Sequence, residues 1–161
     1  AEELFPKIRP YVTYFHSSKY ISDLANGNIC VAAGFSGDVF QAANRAKEAG
    51  KGVNIAYAIP KEGANLWFDI LAVPKDASNP KAAHAFINYI ETPKVHAAIT
   101  NTMFYPNANK EARQYVVKDV AENPMIYPPA EVSKTLYVIK ALPLNIQRLQ
   151  NRMWSELKSG R

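Results

Sequence analysis

Apolar and polar positions alternate with two different periods along the chain, and these periods predict strands and helices in turn. Short apolar or β-branched runs predict four strands, at 11–15, 29–33, 53–59 and 67–73. Apolar residues at helical spacing predict helices at 1–9, 17–24, 38–49, 79–90, 92–101, 109–121, 130–140 and 143–159. Strands that alternate with helices indicate an α/β fold with largely parallel pairing.

Capping residues mark several helix boundaries. Asn79 and Pro80 are a typical N-cap and first helical residue. Gly50 is a typical C-terminal stop for the helix 38–49. Asp38 opens that helix, where a carboxylate suits the positive end of the helix dipole, so one interpretation of Asp38 is a structural cap.

Composition indicates a globular chain and gives few hints of a polyanionic partner. The 161 residues are 48% hydrophobic and 20% charged, enough for one ordinary domain. The net charge of +5 raises the question of nucleic acid, but the basic residues are scattered among acids, so no nucleic-acid partner is expected. No apolar run reaches the roughly 18 residues of a membrane span. No signal peptide is recognised at the start, which reads as if it lay within a domain.

The usual motifs of catalysis are missing from the sequence. The segment 34–38 matches neither a phosphate-binding loop nor a nucleophile elbow. His16, His84 and His96 are widely separated, and Cys30 stands alone in an apolar run. We therefore expect no catalytic residues, no metal site and no cofactor.

Two short stretches place aromatic rings beside a carboxylate. The first is Gly34–Phe40, which contains Phe35 and Asp38, and the second is Leu66–Asp69. Rings and a carboxylate that face one pocket attract a cation by charge and by the ring quadrupole, which suits an aliphatic amine. The structural alternative is a pair of strand ends that bury rings and expose Asp.

Three residues stand out within this chemistry. Asp38 follows a predicted strand, at the edge where open α/β sheets bind ligands. Asp69 interrupts the apolar run 67–73, and a carboxylate in a buried strand costs several kcal/mol unless it is paired. Tyr105 lies in an aromatic loop with turn signals, where simple packing is the alternative.

Six segments together resemble the periplasmic polyamine-binding proteins of bacterial ABC transporters. They run in the family order and are 24–31, 34–38, 59–64, 67–69, 104–110 and 126–129. The resemblance covers the carboxyl-terminal half of a family member. It implies part of a two-lobe periplasmic-binding-protein fold of type II, with mixed sheets flanked by helices. It implies residues 1–60 in the carboxyl-terminal lobe, 61–100 in the amino-terminal lobe and 101–161 as a helical return.

The resemblance also implies roles for six residues. Asp38 looks like the carboxylate for one amine, and Asp69 like a second, central carboxylate. Phe35 stands where many members have Trp, Tyr105 looks like a ring or hydroxyl contact, and Ser17 like a polar contact. Trp67 stands where spermidine-type receptors have Trp and putrescine-type receptors have Phe.

The function that follows is a periplasmic polyamine receptor for an ABC importer, not an enzyme. Trp67 favours spermidine, with putrescine as the alternative. The expected partners are the polyamine, the amino-terminal half of the same receptor and an ABC permease. Two other hypotheses remain: an enzyme with an acid/base pair at Asp38 and Asp69, and a complementing fragment with no binding of its own.

Overall fold

The computed structural model describes residues 3–160 and divides the chain into two compact units. One unit comprises residues 1–17 and 139–161, and the other residues 18–138. The α-helices are α1 Phe5–Ile8, α2 Lys19–Ala25, α3 Ser36–Ala49, α4 Pro80–Ile90, α5 Pro93–Met103, α6 Lys118–Ala121, α7 Ala130–Ser133 and α8 Leu144–Ser159. Two 3-10 helices span Arg9–Tyr11 and Lys110–Tyr115.

The unit formed by the two chain ends is held by polar and aromatic contacts between its first residues and α8. The Arg9 guanidinium donates from Nε to the Leu157 carbonyl over 2.9 Å. The Phe15 ring meets the Trp154 ring edge-on, with centroids 4.9 Å apart. Of the predicted helix 1–9, residues 1 and 2 lie outside the described residues, Phe5–Ile8 are α-helical, and a 3-10 turn that includes Pro10 follows.

The unit of residues 18–138 has two hydrophobic clusters. The first is formed by α2 and α3 and contains Tyr20, Leu24, Ala25, Val39, Ala42 and Ala46. The small alanines of α3 allow the two helices to approach closely. The second lies around α5 and the following turns and contains Ala97, Ala112, Val116, Val120 and Ile126.

The cap signals at two helix boundaries are confirmed, and the one at Asp38 is wrong. The Asn79 side chain accepts a hydrogen bond from the Ala82 N–H over 3.0 Å at the start of α4. Gly50 ends α3 in the left-handed conformation, with φ of 63°. Helix α3, however, begins at Ser36 with Phe35 as N-cap. Asp38 is therefore the third residue of the first turn and not the N-cap, and its carboxylate makes no capping hydrogen bond.

Two predicted helices are shorter than their apolar spacing suggested. The segment 109–121 breaks into the 3-10 helix and α6, because the Val117 N–H turns away to the Asn101 side chain over 2.9 Å. The segment 130–140 is helical only over α7. Tyr137 instead forms an isolated parallel bridge with Asn65. Its backbone N–H and C=O bond to Ala64 and Leu66, so they cannot continue the helix.

The predicted strands differ most from the structure. In the part of the chain that the structure describes, the Asn65–Tyr137 bridge is the β-pairing found, and 11–15, 29–33, 53–59 and 67–73 form no ladder. A strand is stabilised by a neighbouring strand, which a single segment cannot supply for itself. The run 67–73 is exposed, not buried as expected, and Ile70 is 81% exposed.

Candidate functional site

The carboxylate of Asp38 lies between two phenol hydroxyls. Tyr20, in the first turn of α2, donates to Asp38 Oδ2 over 2.6 Å. Tyr105, just after α5, donates to Asp38 Oδ1 over 3.0 Å. Each carboxylate oxygen thus accepts one hydrogen bond, and hydrogen bonds to a charged acceptor are stronger than neutral ones.

Asp38 has no cationic partner within residues 3–160. The ion pairs found there join other residues, and none includes Asp38. Asp38 is also only partly buried. Its negative charge is therefore stabilised by neutral donors and is available to a cation from solution.

Tyr20 is almost wholly buried, and its hydroxyl is used in two directions. The residue is 4% exposed, and its oxygen also accepts the Phe35 N–H over 3.0 Å. Burial, followed by the hydrogen bond to Asp38, raises the pKa of Tyr20 to about 12. The phenol consequently remains a donor throughout the neutral range.

The loop that carries Tyr105 is fixed by its neighbours. Phe104 ends α5 in the left-handed conformation, with φ of 60°, which is uncommon for a bulky residue. Asn107 then donates to the Thr100 hydroxyl over 2.7 Å and accepts from the Asn109 N–H over 3.1 Å. Burial, together with the bond to Asp38, raises the pKa of the Tyr105 phenol. The hydroxyl of Tyr105 is therefore held on Asp38.

Two glycines allow both tyrosine rings to approach the backbone. A Cβ added at Gly34 would meet the Tyr20 ring at 2.5 Å. A Cβ added at Gly37 would collide with the Tyr105 ring and lie 2.6 Å from the Met103 carbonyl oxygen. The glycines of the segment 34–38 thus serve ring placement, not a phosphate.

Three aromatic rings, those of Phe35, Trp67 and Tyr105, form a connected group that reaches the carboxylate through Tyr105. The Phe35 and Trp67 ring centroids are 4.7 Å apart, and those of Trp67 and Tyr105 are 6.4 Å apart, both in edge-on geometry. Phe35 and Trp67 remain 44% and 39% exposed. The ring surface is therefore accessible to a ligand that also reaches Asp38.

The structure brings together four of the six residues singled out in the sequence: Phe35, Asp38, Trp67 and Tyr105. Asp69 is exposed, and it has no hydrogen bond or ion pair in the described part of the chain. The sequence predicted Asp69 within a buried strand, and this is wrong for the described residues because its carboxylate is exposed to water. Ser17 lies in the unit of the chain ends, where it is exposed.

Tyr20 belongs to this arrangement, but the sequence motifs do not single it out. Tyr20 and Leu24 lie four residues apart on the buried face of α2, which is a readable helical spacing. A buried tyrosine hydroxyl needs a hydrogen-bond partner. The buried helical spacing could therefore have identified Tyr20 as a residue that needs a hydrogen-bond partner, but it could not have identified Asp38 as that partner.

The site as a whole can hold a small cation with an apolar stem. The carboxylate supplies the charge, and the rings supply a surface for methylene groups and a cation–π contact. Among the described residues, no group of three or more His, Cys, Asp or Glu could hold a metal ion. No helix within residues 3–160 is long and apolar enough to cross a membrane.

The sequence matches one family model over most of its length. Residues 3–128 match the model described as "Bacterial extracellular solute-binding protein". This match includes the four residues that the structure brings together.

Named relatives cover the chain fully but extend beyond it. The chain is 55% identical over 161 residues to the putrescine-binding periplasmic protein SpuD of Pseudomonas aeruginosa. It is 52% identical, over the same length, to the putrescine-binding periplasmic protein PotF of Escherichia coli. It covers 44% of each of these relatives, so it spans a little under half of their length.

A solved structure shares the fold. The spermidine/putrescine ABC transporter substrate-binding protein PotD of Streptococcus pneumoniae superposes with a TM-score of 0.72 and 25% identity. The superposition covers 99% of this chain and 47% of PotD. The chain therefore has the fold of part of a substrate-binding protein, as the sequence predicted at that level.

Proposed function

Because the chain belongs to the bacterial extracellular solute-binding protein family, we propose that it is the carboxyl-terminal part of a periplasmic receptor for polyamines. The prediction of a binding protein, not an enzyme, is confirmed by this membership. The ligand, the periplasmic location and delivery to an ABC permease are parts of the proposal. Relatives that are named as periplasmic putrescine-binding proteins support it.

The observation that carries the proposal is the Asp38 carboxylate with its uncompensated charge. Two neutral hydroxyls hold it, and half-exposed rings stand next to it. A primary ammonium carries three hydrogen-bond donors and a positive charge. It would therefore supply the cationic partner that Asp38 does not have among the described residues. The methylene stem of a polyamine would lie against Phe35 and Trp67, while Asp69 would hold a second amine and Ser17 a polar contact.

Two polyamines are candidates, and different features favour them. Spermidine is the proposed preference, because the Trp67 indole offers a wide face to a longer chain. Putrescine is the second candidate, favoured by relatives at 55% and 52% identity that are named for it. Tyr105 and Asp38 would serve either amine in the same way, so the choice depends on the rings.

The sheets and lobes are also proposed. Residues 1–60 and 101–161 would belong to the carboxyl-terminal lobe, and 61–100 to the amino-terminal lobe. The extended segments would join mixed sheets with strands from the amino-terminal half of the receptor. Large exposed side chains on these segments, such as Val31 at 89%, support this pairing, because burial there would remove apolar surface from water.

Calorimetric titration of a full-length receptor containing this chain tests the function. We expect putrescine or spermidine to bind, and Asp38→Asn to weaken the binding strongly. Asp119→Asn is the matched control, since Asp119 is an exposed carboxylate on α6. The proposal fails if neither amine binds, or if Asp38→Asn and Asp119→Asn behave alike while both variants fold.

A further inference from the structure

Tyr20 uses both hydrogen-bonding directions of its hydroxyl inside the protein. It donates to Asp38 Oδ2 over 2.6 Å and accepts from the Phe35 N–H over 3.0 Å. We propose that Tyr20 is a positioning residue for the amine site, which fixes the carboxylate of Asp38 and the backbone of Phe35 together. This inference rests on the proposed function of Asp38 as the amine anchor.

Tyr20 and Tyr105 differ in what they leave open to a ligand. The Tyr105 hydroxyl donates to Asp38 Oδ1, and its oxygen also interacts with the Asp38 backbone, so the two tyrosines differ mainly in how deeply they are buried. Its residue is only partly buried, and its ring faces Trp67. Tyr20 is 4% exposed, and the Phe35 N–H already occupies its oxygen. Tyr105 can therefore touch an amine, whereas Tyr20 acts through Asp38.

The surroundings of Tyr20 give it a fixed position from which to act. Its ring packs in the cluster of α2 and α3, with Leu24 and Val39. The missing side chain of Gly34 leaves room for that ring against the backbone. Because the phenol cannot easily move, it holds Asp38 in one rotamer before an amine arrives. Preorganisation of this kind lowers the entropy cost of binding.

The linkage to Phe35 makes the effect broader than one hydrogen bond. Phe35 is the N-cap of α3, and its ring meets Trp67 at 4.7 Å. The Tyr20 hydroxyl therefore positions the Phe35 backbone, which carries one of the aromatic rings, and orients the Asp38 carboxylate. A change at Tyr20 should weaken every amine that uses Asp38 by a similar factor, whatever its length.

The test is calorimetry on a full-length receptor with Tyr20→Phe, alone and combined with Asp38→Asn. Tyr20→Phe should weaken putrescine and spermidine by about tenfold each, the value of one hydrogen bond to a charged group. In the Asp38→Asn background the same change should have little further effect, because the group through which it acts is gone. An equal loss in both backgrounds, or unchanged affinity after Tyr20→Phe, would overturn the positioning role.

Two further variants keep this test independent of folding and of the proposed function. Tyr57→Phe removes a hydroxyl from another partly buried tyrosine that packs on the same cluster, and it should leave affinity unchanged. Gly34→Ala displaces the Tyr20 ring while keeping its hydroxyl, and it should weaken both amines as Tyr20→Phe does. If Asp38→Asn weakens binding but Tyr20→Phe and Gly34→Ala do not, the positioning role fails and the proposed function stands. If Asp38→Asn has no effect, the proposed site itself fails.

Discussion

Asp38 and Asp69 are the two carboxylates proposed for amines, and they have opposite surroundings. Asp38 lies on a regular helix, accepts hydrogen bonds from two tyrosines and has rings beside it. Asp69 lies on an exposed segment without ladder partners and makes no polar contact within residues 3–160. Residues 18–138 thus assemble the Asp38 part of the proposed polyamine site but not the Asp69 part.

The two carboxylates differ in whether this chain alone supplies the contacts that position them. Asp38 is fixed by contacts from α2 and from the loop after α5, so its geometry exists without any further chain. Asp69 follows Trp67 on a segment that would gain neighbours only through the proposed sheet pairing. Without ligand, mutation of Asp38, whose contacts already exist, should therefore affect stability more than mutation of Asp69.

The largest expected effect is on ligand binding, where the contrast should disappear. In a full-length receptor, Asp69→Asn should weaken polyamine binding by about 2–5 kcal/mol, and so should Asp38→Asn, because each removes one partner of a desolvated charge pair. Calorimetric titration with putrescine and spermidine measures both. Unchanged affinity after Asp69→Asn would show that the exposed position seen here persists in the receptor and that Asp69 is not a ligand contact.

Next in size is a packing effect confined to the Asp38 side. Gly37→Ala should destabilise the unliganded receptor by about 1–3 kcal/mol, since the new Cβ must displace the Tyr105 ring or the Met103 carbonyl. Urea unfolding measures this, with Ser36→Ala in the same turn as the control. A gain in stability, as helix propensity alone would give, would contradict the close approach.

Removing the charge without ligand separates the two carboxylates directly. Asp38→Asn should lower the stability of the unliganded receptor by about 1–2 kcal/mol, because two phenol donors lose their charged acceptor. Asp69→Asn should change it by less than about 0.5 kcal/mol, as for most exposed positions. Thermal unfolding of both variants without polyamine is the measurement. Equal losses would mean that Asp69 has partners absent from this chain even before ligand binds.

A smaller effect concerns Trp67, whose ring contacts Phe35 and Tyr105 and which lies two residues before Asp69 in the chain. Trp67→Phe should cost spermidine about 0.5–2 kcal/mol of binding free energy, the range of a cation–π contact, and should cost putrescine less. Titration of both amines against the variant gives the ratio. Tighter binding of putrescine than of spermidine by the unmutated receptor would overturn the spermidine preference, while leaving the site in place.

The last expected effect comes from the titration of Tyr20 and changes stability only at high pH. Its pKa rises from 10.0 unfolded to about 12 folded, so the neutral phenol is favoured by folding. This contribution is fully present below pH 10, which includes neutral pH, and is lost as pH rises towards 12. Phenolate absorbance should show tyrosines that titrate late, and Tyr20→Phe should remove one of them, while the late titration of Tyr105 and Tyr57, whose pKa values are also raised, remains. Titration of every tyrosine near the ordinary value would refute the burial of Tyr20.

Several features followed from the sequence because their signals are local. Asn79 with Pro80 and the terminal Gly50 fixed helix ends, since caps act within one turn. The closeness of Phe35 to Asp38 needed only four residues of chain. The six family-like segments indicated the solute-binding family, which the match over residues 3–128 confirms.

Tertiary structure alone decided the rest, because it depends on partners far apart in the chain. Tyr20 and Tyr105 meet Asp38 from 18 residues before it and 67 residues after it, and no local pattern encodes that meeting. The sequence predicted Asp38 as a helix cap, whereas the packed structure makes its carboxylate the acceptor of hydrogen bonds from two tyrosines. The apolar runs predicted strands, but a strand needs a neighbouring strand, and in the described residues 67–73 has none. The sequence therefore determined which side chains are proposed to bind a cation, and packing decided which of them lie close together.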